Sequence, residues 1–371
     1  MVTAKSRTGC RCTSSIAART PNASRGWATT GRCSRATSCS ANFASGSRPT
    51  RCRSSTDTSG PAPECAQDRQ RCAAPRCAAA ERHNKETPMF SIIVPTWNNL
   101  ALLQLCVRSI RQNSRYAHQI IVHVNDGSDG SLDWVRAEGL EHTASPDNIG
   151  ICYAVNQAAA LAREKYIVYL NDDMYCCPGW DTALIERAQA MPDKAFMLSG
   201  TMIEPVDTGN PCVLVNDFGR DVETFDEAAL LAAVPNYRKP DWFGATWPPT
   251  LVHRDWWFLV GGYSTELSPG MSSDNDFSMK MWAAGARRFV GVGASLVYHF
   301  QCKSTGKVVK NDGRTQFLRK WGMTQSIFDR YYLRRGKPVP AGNDGRLAEP
   351  VEDGKLRWEL FRSRVKRALA R

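Results

Sequence analysis

Asn171-Asp172-Asp173 places two adjacent carboxylates directly after the apolar run Tyr166 to Leu170. Carboxylates grouped in this way suit a hard divalent cation, which takes oxygen ligands and is commonly shared with phosphate groups. Two further strand-like runs also end in polar clusters. Phe90-Ser91-Ile92-Ile93-Val94-Pro95 runs into Thr96-Trp97-Asn98-Asn99, and Gln119 to Val124 runs into Asn125-Asp126-Gly127-Ser128. In an open α/β sheet ligands collect at the carboxyl ends of the strands, so three polar strand ends describe one site. A cation beside a base-sized polar pocket suits a nucleoside diphosphate.

The elements that position these ends alternate from Met89 onward. Strand 90–95 is followed by an amphipathic helix over 99–113, with Leu102, Leu103, Cys106, Val107 and Ile110 on one face. Strand 119–124 and a short helix at 132–137 come next. A segment near 140–143 leads to Asn148-Ile149-Gly150, which opens a helix to Ala162. Strand 166–170 and a helix over 180–190 close this half near residue 200. Strands of near-continuous Ile and Val alternating with helices predict a largely parallel sheet covered on both faces. Residues 201–250 read as loops and short strands. Beyond them a helix is expected at 255–260, another from Asp274, a strand over 288–298 ending at His299, and helices from Asp312 on. The tail 356–371 reads as a basic amphipathic helix with Trp358, Phe361, Val365 and Leu369 on one side.

The 371-residue chain carries a formal charge of +12, unevenly spread. Residues 1–88 hold 15 Lys or Arg against five Asp or Glu, and eight of the 14 cysteines. The remainder carries 33 basic against 31 acidic residues. With almost no Ile, Leu or Val, residues 1–88 cannot bury enough apolar surface to offset the entropy of ordering them. They are expected to be a disordered, low-complexity segment. Met89, directly before the first strand, is an alternative start that would make this segment a misassigned upstream translation. Cys10/Cys12 and Cys72/Cys77 match no zinc spacing. A nucleic-acid role would rest on this segment alone, so no nucleic-acid partner is expected. No run of about 18 apolar residues occurs, which leads to an expected cytoplasmic location.

These residues resemble a family 2 glycosyltransferase of the GT-A fold, over 89–302. Ile93 to Asn98 is similar to that family's opening strand and nucleotide-binding turn, and Asn125 to Ser128 to its second turn. Asn148-Ile149-Gly150 with Asn156 resembles the loop and helix before the metal motif, and Asn171-Asp172-Asp173 stands at the DXD position. Gly261-Gly262-Tyr263 and Ser273-Asp274-Asn275-Asp276 resemble the acceptor-side segment with its catalytic acid, and Tyr298-His299 the strand end that completes the metal site. The chain departs from the pattern at Asn171, where the first DXD acid is expected, and at Ser273, where an acid usually precedes the base.

The resemblance implies an α/β, GT-A (Rossmann-like) fold with a mostly parallel sheet and a helical C-terminal extension. Residues 89–200 would form the nucleotide-sugar half, 201–302 the acceptor and catalytic half, and 303–371 the extension. It implies sugar transfer from a nucleotide-diphospho sugar to a saccharide, lipid-linked or protein-linked hydroxyl, with inversion. Pro95, Thr96, Trp97, Asp126, Asn148, Gly150 and Asp172 would line the donor. Asp173 and His299 would hold Mn²⁺ or Mg²⁺, and Asp274 would be the general base, with Asp276 as a helper or acceptor ligand. Each has a plainer reading: a packed aromatic for Trp97, a turn residue for Asp126, and a helix cap for Asn148, Asp172, Asp173 or Asp274. A nucleotidyltransferase of related fold would carry a Gly-rich, Arg-containing loop after the first strand, where Pro95-Thr96-Trp97-Asn98 stands instead. A non-catalytic nucleotide-sugar binder would have no reason to keep Asp173, Asp274 and His299 together. For the tail helix two readings stay open, a peripheral membrane contact or a charged helix packed on the main domain by its Trp and Phe.

Overall fold

Period-two burial along the first strand sets the layers. In the computed structural model, which describes residues 89–301 and 311–370, β1 (Phe90–Trp97) buries Ile92 and Val94 with one core and Ile93 with another. The first core is closed by α1 (Leu100–Asn113) through Leu103, Cys106, Val107 and Ile110, and by α4 (Trp180–Gln189) through Trp180 and Leu184. The second is closed by α3 (Ile151–Ala159) through Cys152, Val155 and Ala158. The helix α7 (Ser273–Ala283) adds Phe277 and Met281 to it. Each side chain of this size taken fully out of water contributes about 1.5–3 kcal/mol. The strands thus read as continuous apolar runs because both faces are covered. The expected disorder of residues 1–88 lies outside the described residues.

The remaining elements follow in chain order. β2 (Gln119–Asn125), α2 (Ser131–Ala137) and β3 (Glu141–Ser145) precede α3, and β4 (Tyr166–Tyr169) and β5 (Met174–Cys176) precede α4. β6 (Phe196–Glu204), β7 (Leu214–Val215), α5 (Glu227–Ala233), β8 (Trp242–Phe243), β9 (Thr250–His253) and α6 (Arg254–Leu259) precede α7. β10 (Arg288–His299), α8 (Gly313–Trp321), α9 (Gln325–Ile327) and α10 (Gly354–Leu369) complete the chain, α9 running on as a π-helical turn over Phe328–Tyr332.

The main path of the sheet runs β3-β2-β1-β4-β9-β6-β10-β5, with β7 beside β6 and β8 beside β10. The first four strands are parallel, with Ser91 opposite Gln119 through to Trp97 opposite Asn125. β9 is antiparallel to both its neighbours, and β5 and β8 are antiparallel to β10. The sheet is therefore mixed beyond β4.

One central strand was illegible in the sequence. Where loops and short strands were expected from residue 201, β6 runs through to Glu204 with all nine residues buried. The polar triplet Ser199-Gly200-Thr201 interrupts its apolar run. Tertiary contacts satisfy those groups: the Ser199 hydroxyl donates to the Trp247 carbonyl at 2.9 Å and that of Thr201 to the Val292 carbonyl at 2.9 Å.

The tail helix corrects one of its two readings. Trp358 and Phe361 do not pack on the main domain; Leu356 and Ser363 do, at 0% and 2% exposure. Glu359 on the same side accepts from Arg330 and from the Tyr331 hydroxyl, both at 3.0 Å. Asp353 caps the helix, accepting from the Leu356 amide at 2.8 Å.

Candidate active site

The parallel register of β1, β2 and β4 brings their carboxyl ends side by side. Thr96 at the end of β1 donates its hydroxyl to Asp172 after β4, at 2.7 Å. Asn125 at the end of β2 donates to the Thr96 carbonyl at 3.3 Å and accepts from the Ile149 amide at 3.0 Å. Asn148 accepts from the amide of Gly150 at 2.9 Å, an Asx turn, while the N-cap of α3 is Gly150, with no side-chain cap. The cap reading for Asn148 is thereby replaced by a turn that shapes the loop.

A cavity of about 450 Å³ opens over these ends. Pro95, Thr96, Trp97, Asn148, Gly150 and Asp172 line it, together with Asp173, Asp274 and His299. Asp126 does not. Its backbone turns into the left-handed region at φ +63°, its carboxylate accepts from Asn98 at 2.8 Å, and that bond holds its pKa below the usual carboxylate range. A second cavity of about 500 Å³ shares Tyr169, Asn171, Asp274, His299 and Gln301 with the first. Asp274 thus stands where the two spaces meet.

Gly150 is required by backbone geometry. Its φ is +79°, and a Cβ there would lie 2.4 Å from the Ser268 hydroxyl oxygen and 2.7 Å from the Pro269 Cα. Gly150→Ala is expected to destabilise the fold by about 2–3 kcal/mol, from the left-handed strain and the clash together. Urea denaturation checks this, and an unchanged midpoint would refute it.

Asp274 lies in the first turn of α7 without capping it. The N-cap is Ser272, in the left-handed region at φ +72°, and Ser272 itself makes no side-chain cap. The Asp274 carboxylate instead accepts from the Tyr263 hydroxyl at 2.8 Å. Burial pushes its pKa up to about 6, with the Tyr263 bond pulling the other way. Neither Asp172 nor Asp173 caps α4, whose N-cap is Gly179. Burial, and then the neighbouring Asp173, raise Asp172 to about 7.

Asp276 is turned away from both cavities. It is fully buried, forms an ion pair with Lys320 at 2.9 Å and accepts from Trp321 Nε1 at 2.8 Å. It ties α7 to α8 and is not an acceptor ligand, contrary to the expectation from sequence.

Three neighbouring strand ends bring a residue that the sequence did not disclose. His299 ends β10, Glu204 ends β6, and Asp173 precedes β5. His299 Nδ1 lies 2.9 Å from Glu204, and Nε2 lies 3.5 Å from Asp173. Burial disfavours the imidazolium, but the two carboxylates outweigh it and raise the His299 pKa to about 10. The only signal for Glu204 was the end of β6, a strand the sequence hid. Tyr169, whose hydroxyl donates to Asn171 at 2.7 Å, was also missed because it reads as an ordinary strand residue.

The donor set can be tested for a divalent cation. Among the described residues no group of three or more His, Cys, Asp or Glu gathers around one point. Asp173 and His299 do face one cavity, and an oxygen with a nitrogen donor suits Mn²⁺. Such a pair fits a cation that draws its remaining ligands from a bound diphosphate. The two carboxylates beside His299 favour positive charge here, and a cation bound through its ring nitrogen would take the place of the imidazole proton.

Residues 91–211 match the family model described as Glycosyl transferase family 2. The putative colanic acid biosynthesis glycosyl transferase WcaA of Escherichia coli is 26% identical over 129 residues, 32% of this chain and 44% of WcaA. The uncharacterized protein y4gI of Sinorhizobium fredii is 25% identical over 256 residues, 63% of this chain and 27% of that protein. The chain thus spans less than half the length of either relative. Among solved structures, S. aureus TarS 1–349 is similar at TM-score 0.46 and 13% identity, covering 65% of this chain and 66% of that one. The mannosyltransferase PcManGT of Pyrobaculum calidifontis, in complex with GDP-Man and Mn²⁺, is similar at TM-score 0.42 and 16% identity, covering 77% and 74%. The stretch matched by the family model lies on the β1-to-β6 part of the sheet whose strand ends form the cavity.

Proposed function

We propose that this protein transfers a glycosyl group from a nucleotide-diphospho sugar to an acceptor hydroxyl, with a divalent cation and with inversion. The observation that carries this reading is the meeting of Asp274 with Asp173 and His299 at two joined cavities. Pro95, Thr96, Trp97, Asn148, Gly150 and Asp172 bind the donor, Trp97 by stacking on its base. Asp173 and His299 would hold a divalent cation, whose chemistry there would be to offset charge on the leaving diphosphate. Asp274 takes the proton from the acceptor hydroxyl while that oxygen forms its bond to the anomeric carbon. The bond to the diphosphate oxygen breaks in the same displacement, and its electron pair leaves with the nucleoside diphosphate. A single base opposite the leaving group inverts the anomeric centre. Tyr263 holds the base in place, and burial keeps it basic enough to accept a proton. The acceptor is a saccharide or glycolipid hydroxyl, and the name of WcaA supports a place in polysaccharide assembly.

Nucleoside-diphosphate release tests the reading. A panel of nucleotide sugars is incubated with the full chain and candidate saccharide acceptors in Mn²⁺, Mg²⁺ or EDTA. Release from one donor, suppressed by EDTA, is expected. No release and no calorimetric donor binding across the panel would refute it.

A further inference from the structure

The outward face of α10 is apolar and bordered by cations. Trp358, Phe361, Val365 and Leu369 follow one another at helical spacing on one side and are 58%, 53%, 43% and 78% exposed. The helix docks by its other side, through Leu356 and Ser363. Its only acid, Glu359, is turned inward and engaged by Arg330 and Tyr331. Six basic residues lie on the same 16-residue helix. On a helical projection Arg357 and Arg364 border one edge of the apolar stripe, and Lys355, Arg362 and Lys366 the other. Beneath that second edge, Arg362 and Lys366 also line a cavity of about 780 Å³ with Arg314 and Arg330. This cavity shares Trp247 and Arg335 with the one beside Asp274.

We propose that α10 seats the protein on an anionic lipid bilayer, lying in the interface with Trp358, Phe361, Val365 and Leu369 among the acyl chains and its basic borders on lipid phosphates. This inference stands apart from the donor-site reading, because none of its residues lines the donor cavity. A helix with a narrow apolar stripe, flanking Lys and Arg and low overall hydrophobicity is the form that lies in an interface rather than crossing it. No helix among the described residues is long and apolar enough to cross. Charge selects the occupant. A second copy would bring six cations against six, and residues 1–88 are themselves net basic, whereas an anionic surface attracts every cation along the borders. The helix is about 24 Å long, so the whole stripe can lie flat on that surface.

Co-sedimentation of the full chain with vesicles decides it. Phosphatidylcholine vesicles are compared with vesicles containing phosphatidylglycerol, using the native protein, Trp358→Ala/Phe361→Ala and Arg357→Glu/Arg364→Glu. Binding to the anionic vesicles only, weakened about tenfold or more in each double variant and by high salt, is expected. Circular dichroism melts control for folding, and the four positions are exposed, so the melts should coincide with the native one. Undiminished binding by both variants would overturn the proposal by assigning attachment to another surface, such as residues 1–88. Equal binding to neutral vesicles would overturn the charge requirement. Absence of vesicle binding, with or without a Trp358-dependent dimer in light scattering, would overturn it outright.

Discussion

Asp274→Asn is expected to lower turnover by about 10²–10⁴-fold while leaving donor affinity unchanged, since it removes a general base and keeps its shape. The same change is expected to raise thermal stability. In the folded protein the carboxyl pKa is lifted from about 3.8 to about 6 by burial. The folded state therefore binds this proton more tightly than the unfolded chain does. Stability from this group is full below pH 3.8, falls as pH rises toward 6, and stays low above. Two pKa units correspond to about 3 kcal/mol of penalty at neutral pH. An amide is not charged and escapes the penalty, less about 1–2 kcal/mol for its poorly matched NH₂. A melting temperature a few degrees higher, with turnover nearly gone, would mark a site that holds an ionised carboxylate at the expense of the fold. In the native enzyme kcat/KM should fall about tenfold per unit below pH 6, as the base is protonated. A variant with native turnover, or a native acid limb well away from pH 6, would remove Asp274 from the base role.

Asp173→Ala should cost turnover a hundredfold or more and abolish the response of the remaining activity to Mn²⁺ and EDTA. Asp173 faces the cavity over the strand ends beside His299, so its loss would leave one side-chain ligand for the proposed cation. The variant also removes the charge that is the second cause of the raised Asp172 pKa, after burial. Asp172 should then ionise at lower pH, and the fold should not suffer. Metal titration of turnover separates the cases. An unchanged apparent metal affinity in Asp173→Ala would mean that other groups hold the cation.

The parallel half of the fold was legible for a local reason. Strands β1, β2 and β4 are apolar runs of neighbouring residues, and polar clusters at their ends announce themselves by contrast. Thr96, Asp172 and Asp173 were nominated this way, and Asn148, Asp274 and His299 by the family resemblance; all six line one cavity. Strand β6 was not legible, because buried Ser199 and Thr201 look like loop until Trp247 and Val292 supply their hydrogen-bond partners. With β6 hidden, Glu204 was hidden too.

Asp276 shows the opposite failure. Its spacing two residues after Asp274 suggested a partner in the chemistry, but α-helical geometry turns it by about 200° away from Asp274, onto Lys320 and Trp321. The tail helix divides along the same line. Its sequence determined an apolar stripe with basic borders, since that follows from periodicity alone. Only the tertiary structure decided that the stripe faces outward, because docking is chosen by the partner surface, and that surface receives Leu356, Glu359 and Ser363. By itself, then, the sequence determined the strand ends and the order of the groups they carry. Which of those groups meet in one cavity, and which are spent on packing, depended on distant contacts between β6, β10, α7 and α8 that no local pattern encodes.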